Sequence, residues 1–291
     1  MTAIGTVTEV GYVSLRTTDL KASIDYAEKF LGLRVTETTA TKAYLAAQDT
    51  HHELVYTQAD ENGTDHLGVL VPSAEELAAV RDKVARNGFR VITENPFESH
   101  AEAGFAFVDH EGYTWNVYQE ADRFDTRIGA TNVDRFGHVN LKVRDSIKYR
   151  DFLVDVFDLK VSDQVGEDIA FFLRCNTDNH GIAIMKRSDV ALHHHAWQVQ
   201  SIADLGRLGD RLIHAGSRLI WGPVRHGAGH NIAAYYLEPA GGIVEVYADM
   251  EQIFDPERGV KYWDPEDLRW INQWDGQIPE MLQYGFAPTK R

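Results

Sequence analysis

Apolar and polar positions alternate at the start of the chain: in G-Y-V-S-L-R-T-T-D from Gly11, Val13 and Leu15 alternate with polar neighbours, as in a half-buried strand. The period then lengthens through K-A-S-I-D-Y-A-E-K-F-L-G-L from Lys21, which predicts a helix ending near Gly32. Short strands follow around Lys42 to Ala46, His52 to Tyr56 and His66 to Val71. A second helix is expected from about Ser73 to Asn87, stopped at Gly88. A hairpin comes after it, G-F-A-F-V-D-H-E-G-Y-T-W-N-V-Y, turning at His110 to Gly112. The order strand, helix, three strands thus occurs twice within the first 120 or so residues.

The same order then returns. G-Y-V-S-L-R-T-T-D at Gly11 matches G-H-V-N-L-K-V-R-D at Gly137, an offset of 126 residues. F-L-G-L-R-V at Phe30 matches V-F-D-L-K-V at Val156 at the same offset. H-L-G-V-L-V at His66 aligns with H-H-A-W-Q-V at His194, and Gly88 with Gly216, both 128 apart. N-V-Y at Asn116 aligns with E-V-Y at Glu245, 129 apart. A repeat this long means duplicated domains, since solenoid periods are shorter. The chain therefore reads as α+β, with a first domain over 1–122, a polar linker over 123–134, a second domain over 135–250 and a tail over 251–291. Each domain would pair two strand–helix–strand–strand–strand units, with a sheet curving around a cavity and helices outside. The tail carries Trp263, Trp270, Trp274, Tyr284 and Phe286, too aromatic for a disordered segment, and is expected to fold back near the cavity mouth.

Composition narrows the function classes. The 291 residues are 44% hydrophobic and 25% charged, ordinary for a globular protein. A formal net charge of -15 argues against non-specific nucleic-acid or anionic-membrane binding. One cysteine, Cys175, excludes an internal disulfide and a cysteine-based zinc site, and fits a reducing cytoplasm. The N-terminal residues show no signal-peptide pattern, and no run is apolar enough to span a membrane. A cytoplasmic location follows as an expectation.

The two halves differ where chemistry could reside. At three corresponding positions the second half has His138, His194 and Glu245, and the first has Tyr12, His66 and Asn116. Two imidazoles and one carboxylate, with positions left open, are the ligands of a mononuclear non-haem Fe(II) site. Tyr and Asn are poor Fe(II) ligands, so such a metal belongs to the second half, and the first domain is expected to lack one. Taken singly, each feature has an ordinary explanation. His138 could be a hydrogen-bonded strand residue, E-P-A-G-G a hairpin turn, Glu245 a strand carboxylate and Cys175 a small buried hydrophobe. In the run His193-His194-His195, strand alternation sends His194 to one face and both neighbours to the other, so one register serves a metal. The joint pattern outweighs the separate explanations.

These residues resemble the type I extradiol ring-cleavage dioxygenases of the vicinal oxygen chelate superfamily, over essentially the whole chain. F-G-H-V-N-L at His138, L-H-H-H-A-W at His194 and Y-Y-L-E-P-A-G-G-I-V-E from Tyr235 to Glu245 carry the resemblance. It implies two tandem glyoxalase/bleomycin-resistance-like domains of paired βαβββ units, with His138, His194 and Glu245 holding Fe(II). His180 would be the acid/base group, and His226 and Tyr235 would hydrogen-bond the diol oxygens. It further implies ring opening beside the diol of a catechol by O2, as in aromatic-compound degradation, and a homo-oligomer, a tetramer or larger. Ala234 stands where the family prefers a bulky aliphatic, a possible change in pocket volume.

Other readings remain open at this point. Mn(II) could replace Fe(II) on so hard a ligand set. A glyoxalase-type isomerase or lyase would need a further carboxylate ligand, and none stands out. A drug-sequestering binding module would need no triad at all. An apolar pocket would favour catechol, alkylcatechols or a biaryl diol, whereas a carboxylated substrate would need a placed cation such as Arg225 or a tail arginine.

Overall fold

The computed structural model describes residues 5–98, 100–121, 132–275 and 280–291. Four βαβββ units follow one another in it. The first comprises β1 (Glu9–Thr17), α1 (Leu20–Phe30), β2 (Arg34–Thr38), β3 (Lys42–Ala46) and β4 (Leu54–Gln58). The second has β5 (Gly63–Val71), α2 (Ala74–Arg86), β6 (Arg90–Thr93), β7 (Ala101–Val108) and β8 (Thr114–Ala121). The third runs β9 (Arg135–Val143), α3 (Ser146–Phe157), β10 (Lys160–Val165), β11 (Ala170–Arg174) and β12 (Ile182–Lys186). The fourth is β13 (Ala191–Gln198), α4 (Ile202–His214), β14 (Leu219–Arg225), β15 (Ile232–Leu237) and β16 (Ile243–Ala248). The tail adds β17 (Lys261–Trp263) and two 3-10 turns, Leu268–Trp270 and Glu280–Gln283.

Local sequence accounts for the element ends. The Asp19 and Asp145 side chains accept from the Ala22 and Lys148 amides and so cap α1 and α3. Ser73 does the same for α2, and Ser201 with Asp204 forms a capping box on α4. After α1 and α2 the chain turns at Gly32 and Gly88.

The strands form two mixed sheets. One is ordered β2-β3-β4-β1-β5-β8-β7-β6, the other β14-β15-β16-β13-β9-β12-β11-β10-β17. In each, two units join through an antiparallel centre, β1 with β5 and β9 with β13. The helices pack against the sheets, with α1 beside α4 and α2 beside α3. Trp115 and Phe157 belong to one apolar cluster that runs across both domains.

The expected α+β class and tandem duplication stand. The polar linker expected at 123–134 falls mainly on residues outside those described. Its described end is Asn132, whose amide donates to the Leu31 carbonyl, Val133, buried, and Asp134, whose amide donates to the Gln198 carbonyl. The domains are further joined by Tyr149, whose hydroxyl donates to Asp109 Oδ2 at 2.6 Å, and by Glu53, which accepts from the Phe136 amide at 2.8 Å.

Candidate metal centre

One lateral row of the second sheet builds the site. Tyr235 on β15 pairs with Glu245 on β16, Glu245 with Ala196 on β13, and Ala196 with His138 on β9. Laterally paired residues share a face, so Tyr235, Glu245 and His138 project together with the small Ala196 between them. His194 lies two residues from Ala196 on the same face of β13. His138 Nε2 and His194 Nε2 stand 3.3 and 2.9 Å from one oxygen, Glu245 Oε2. The three ligand atoms lie within 4.8 Å of one another, and all three residues are buried.

The corresponding row of the first sheet runs Asn116, Gly68 and Tyr12. There the Tyr12 ring occupies the space: a Cβ on Gly68 would lie 2.0 Å from it. The Tyr12 hydroxyl bonds His66 Nε2 at 2.9 Å and Asn116 Nδ2 at 2.8 Å. The row that converges on a carboxylate in one domain is thus closed by a phenol in the other.

Backbone carbonyls and one amide set the tautomers. His193 Nε2 faces the Met281 carbonyl at 3.2 Å, so its proton sits there, and its Nδ1 accepts from His194 Nδ1 at 2.7 Å. That leaves His194 Nε2 with a lone pair aimed at the position beside Glu245. His226 Nδ1 donates to the Ile271 carbonyl at 2.6 Å, so its Nε2 accepts from the Tyr235 hydroxyl at 2.7 Å. The Asn179 amide nitrogen donates to Asp163 and Glu251, both at 2.7 Å, so its oxygen must face His180 Nδ1, 3.1 Å away. His180 Nδ1 therefore carries the proton and Nε2 remains an acceptor. Asn231 holds the other Glu245 oxygen at 2.9 Å.

Burial pushes the His180, His194 and His226 imidazoles down, which keeps them neutral. Burial alone would raise Glu245, but His138 and His194 beside it hold its carboxyl well below the usual range. Tyr235 is raised well above the phenol range by burial and then by Glu245, so its hydroxyl keeps its proton. Neutral imidazoles facing an ionised carboxylate are the protonation state that a divalent ion requires. The donor set fits a first-row divalent metal.

A partly enclosed pocket lies above these groups. Its apolar wall includes Phe172, Met185, Trp221, Trp270, Ile271 and Met281, and among the described residues no lysine or arginine lines it. The tail supplies part of that wall, as expected. Trp274 and Tyr284 remain exposed and Phe286 packs in the core.

All six expected site residues, His138, His180, His194, His226, Tyr235 and Glu245, meet at this pocket. The expectation for the His193-His194-His195 run needs correction. A register shift between Leu192 and His194 interrupts the alternation, and His193 lines the pocket beside His194. His195 turns the other way and accepts from Trp197 Nε1 at 2.9 Å. Arg225, raised as a carboxylate partner, is instead bonded to the His230 carbonyl and Asp249. Asn179, Asn231 and His193 went unidentified as orienting groups. Asn179 and His193 had a local signal, their positions next to His180 and His194.

Comparison with known proteins places this geometry in context. Residues 9–117 and 135–246 match the family described as the Glyoxalase/Bleomycin resistance protein/Dioxygenase superfamily. The chain is similar to metapyrocatechase 2 of Cupriavidus necator, 31% identical over 150 residues, a match covering 50% of this chain and 46% of that protein. Among solved structures it is similar to the Mn(II)-bound glyoxalase from Novosphingobium aromaticivorans, with 28% identity and a TM-score of 0.90, covering 97% and 96% of the two chains. It also shares its fold with homoprotocatechuate 2,3-dioxygenase from Arthrobacter globiformis, at 22% identity and a TM-score of 0.90, covering 99% and 94%.

Proposed function

The chain belongs to the Glyoxalase/Bleomycin resistance protein/Dioxygenase superfamily, and from that premise we propose that it is an extradiol dioxygenase opening the ring of a catechol with O2. The observation that carries the reading is the sharing of Glu245 Oε2 by two imidazoles at the base of a pocket that also presents His180, His226 and Tyr235. The name metapyrocatechase on a relative supports it.

His138, His194 and Glu245 would hold Fe(II). When bound, the ion supplies positions for the two diol oxygens and for O2 on one centre, which solves the proximity problem. The protein's own residues do the rest. His180, with its proton fixed on Nδ1 by Asn179, accepts the diol proton at Nε2 and returns it later. Tyr235, its hydroxyl proton held by His226 and that ring fixed by the Ile271 carbonyl, turns its oxygen to accept from a diol hydroxyl. The aromatic and aliphatic wall excludes water and seats the ring edge-on or stacked. With no cation among the described residues of that wall, the preferred diol carries no carboxylate: catechol, an alkylcatechol or a small biaryl diol.

A Mn(II)-dependent, glyoxalase-type isomerisation is the second reading, favoured by the 28% identity to the Mn(II)-bound glyoxalase. One experiment separates the two. Protein purified without air is loaded with Fe(II) or Mn(II), and oxygen uptake and visible absorbance are followed. The substrates are catechol, 3- and 4-methylcatechol, 2,3-dihydroxybiphenyl and 3,4-dihydroxyphenylacetate. Stoichiometric oxygen uptake with a yellow product, faster with the uncharged diols, is expected. Metal-loaded protein that consumes no oxygen with any diol overturns the dioxygenase reading.

A further inference from the structure

A second cluster of metal-ligating side chains lies in the first domain, away from the row closed by Tyr12. Glu37 comes from β2, His51 from the β3–β4 connection and His100 from the residue before β7. His51 Nε2 and His100 Nε2 stand 3.4 and 3.0 Å from one oxygen, Glu37 Oε2. The three ligand atoms lie within 4.8 Å of one another. We propose that Glu37, His51 and His100 form a second, non-catalytic site for a divalent ion of the zinc class, tying three segments of the first domain together.

The distances admit shared coordination. Two ligand atoms each about 2.1 Å from one ion, at angles of about 90–109°, stand about 3.0–3.4 Å apart. Both contacts to Glu37 Oε2 fall in that interval, as do those to Glu245 Oε2 within a tenth of an ångström. The two imidazoles stack, with ring centres 3.4 Å apart and planes 20° from parallel, so the partly exposed His100 ring must turn for both lone pairs to meet one ion.

Orienting groups are in place too. His51 Nδ1 meets His52 Nδ1 at 2.9 Å, the same contact that His194 makes with His193. A register shift between Val35 and Glu37 bulges Thr36 out of the β2–β3 ladder, and the Thr36 hydroxyl lies 2.6 Å from the His51 carbonyl. The bulge thus aims Glu37 and fixes the loop that carries His51. His51 is buried, while the Glu37 side chain is 42% exposed and that of His100 21%, so the remaining coordination positions open to water. Two nitrogens and one oxygen at a solvent-reached site suit Zn(II), Co(II) or Ni(II) better than Ca(II) or Mg(II), which prefer all-oxygen cages. The first domain was expected to hold no metal, and a site at this cluster departs from that expectation.

The test counts ions. Full-length protein is stripped with chelator and equilibrated with Co(II) under argon. Bound metal is measured by mass spectrometry, alongside the visible absorption of Co(II). The wild type is expected to bind two Co(II) per chain, His194→Ala one, His100→Ala one, and the double variant none. Glu37→Gln, which keeps the side-chain volume and so protects against misfolding, should weaken the site surviving in His194→Ala at least tenfold. Ring-cleavage turnover of Fe(II)-loaded His100→Ala should match the wild type. No Co(II) on His194→Ala, or one Co(II) that persists after His100→Ala or at undiminished affinity after Glu37→Gln, overturns the proposal.

Discussion

At the scale of single residues, two hydrogen-bond relays decide what the pocket can do. Met281 fixes His193, which fixes His194; Asn179 fixes His180. The first relay delivers a lone pair to the metal position and the second delivers one to the diol. The two histidines therefore separate experimentally. His194→Ala should lose the iron of the catalytic centre and with it oxygen uptake. His180→Ala should keep one equivalent of iron at the catalytic centre while turnover falls about 10²–10⁴-fold, the usual worth of a general acid/base. Iron content and oxygen-electrode rates on the same preparations check both. Full iron on His194→Ala sinks the ligand assignment, and unchanged turnover of His180→Ala sinks the acid/base role.

At the scale of elements, the site depends on how β9 and β16 pack. A Cβ on Gly137 would stand 2.0 Å from the Tyr247 hydroxyl, and the Tyr247 ring lies 5.1 Å from that of His138. The first domain repeats the arrangement, with Gly11 and the Tyr118 hydroxyl 1.9 Å apart on the same construction. Alanine at either glycine forces overpacking worth about 1–3 kcal/mol. Only Gly137→Ala presses on a ligand-bearing strand. It should lower both the melting temperature and the iron affinity, whereas Gly11→Ala should lower the melting temperature alone. Equal iron affinity in the two variants would separate the glycine from the site. Gly229 acts more locally: at φ +80 its absent Cβ leaves room for the His180 ring, 2.8 Å from where that atom would be.

At the scale of the whole molecule, the tail and the domain interface extend the site. Two carbonyls of the tail, Ile271 and Met281, fix the tautomers of His226 and His193. A chain ending at Met250 keeps His138, His194 and Glu245 yet should bind iron at least tenfold more weakly, as measured by competition with a chelator. Undiminished affinity would show that the tail is only a wall. Between the domains, burial pushes the Asp109 carboxyl up to about 6 despite its bonds from Tyr149 and Trp115. Its folded pKa is thus above its unfolded value, so its protonation stabilises the fold fully below about pH 4. That contribution is lost as pH rises through about 6. The stability difference between wild type and Asp109→Asn should therefore move against the wild type between pH 4 and pH 7 in urea titrations. A difference that is flat across that range would place the carboxyl at its ordinary pKa.

The hydrophobic period, the helix caps and the offset of 126 to 129 residues were enough to determine four strand–helix units in two domains, because caps and alternation are local. The contrast of His138, His194 and Glu245 with Tyr12, His66 and Asn116 was legible for the same reason: a repeat carries its own reference. The register of the strands was not. Lateral pairing alone places Ala196 between Glu245 and His138, and a bulge alone turns His193 to the side of His194. The orienting carbonyls of Ile271 and Met281 come from a tail with no counterpart in the repeat, so no pattern pointed to them. The cluster of Glu37, His51 and His100 draws on three segments spread over 64 residues, and only the curvature of the first sheet brings them within reach of one ion. Spacing along the chain determines which side chains are available; the tertiary fold decides which of their lone pairs converge.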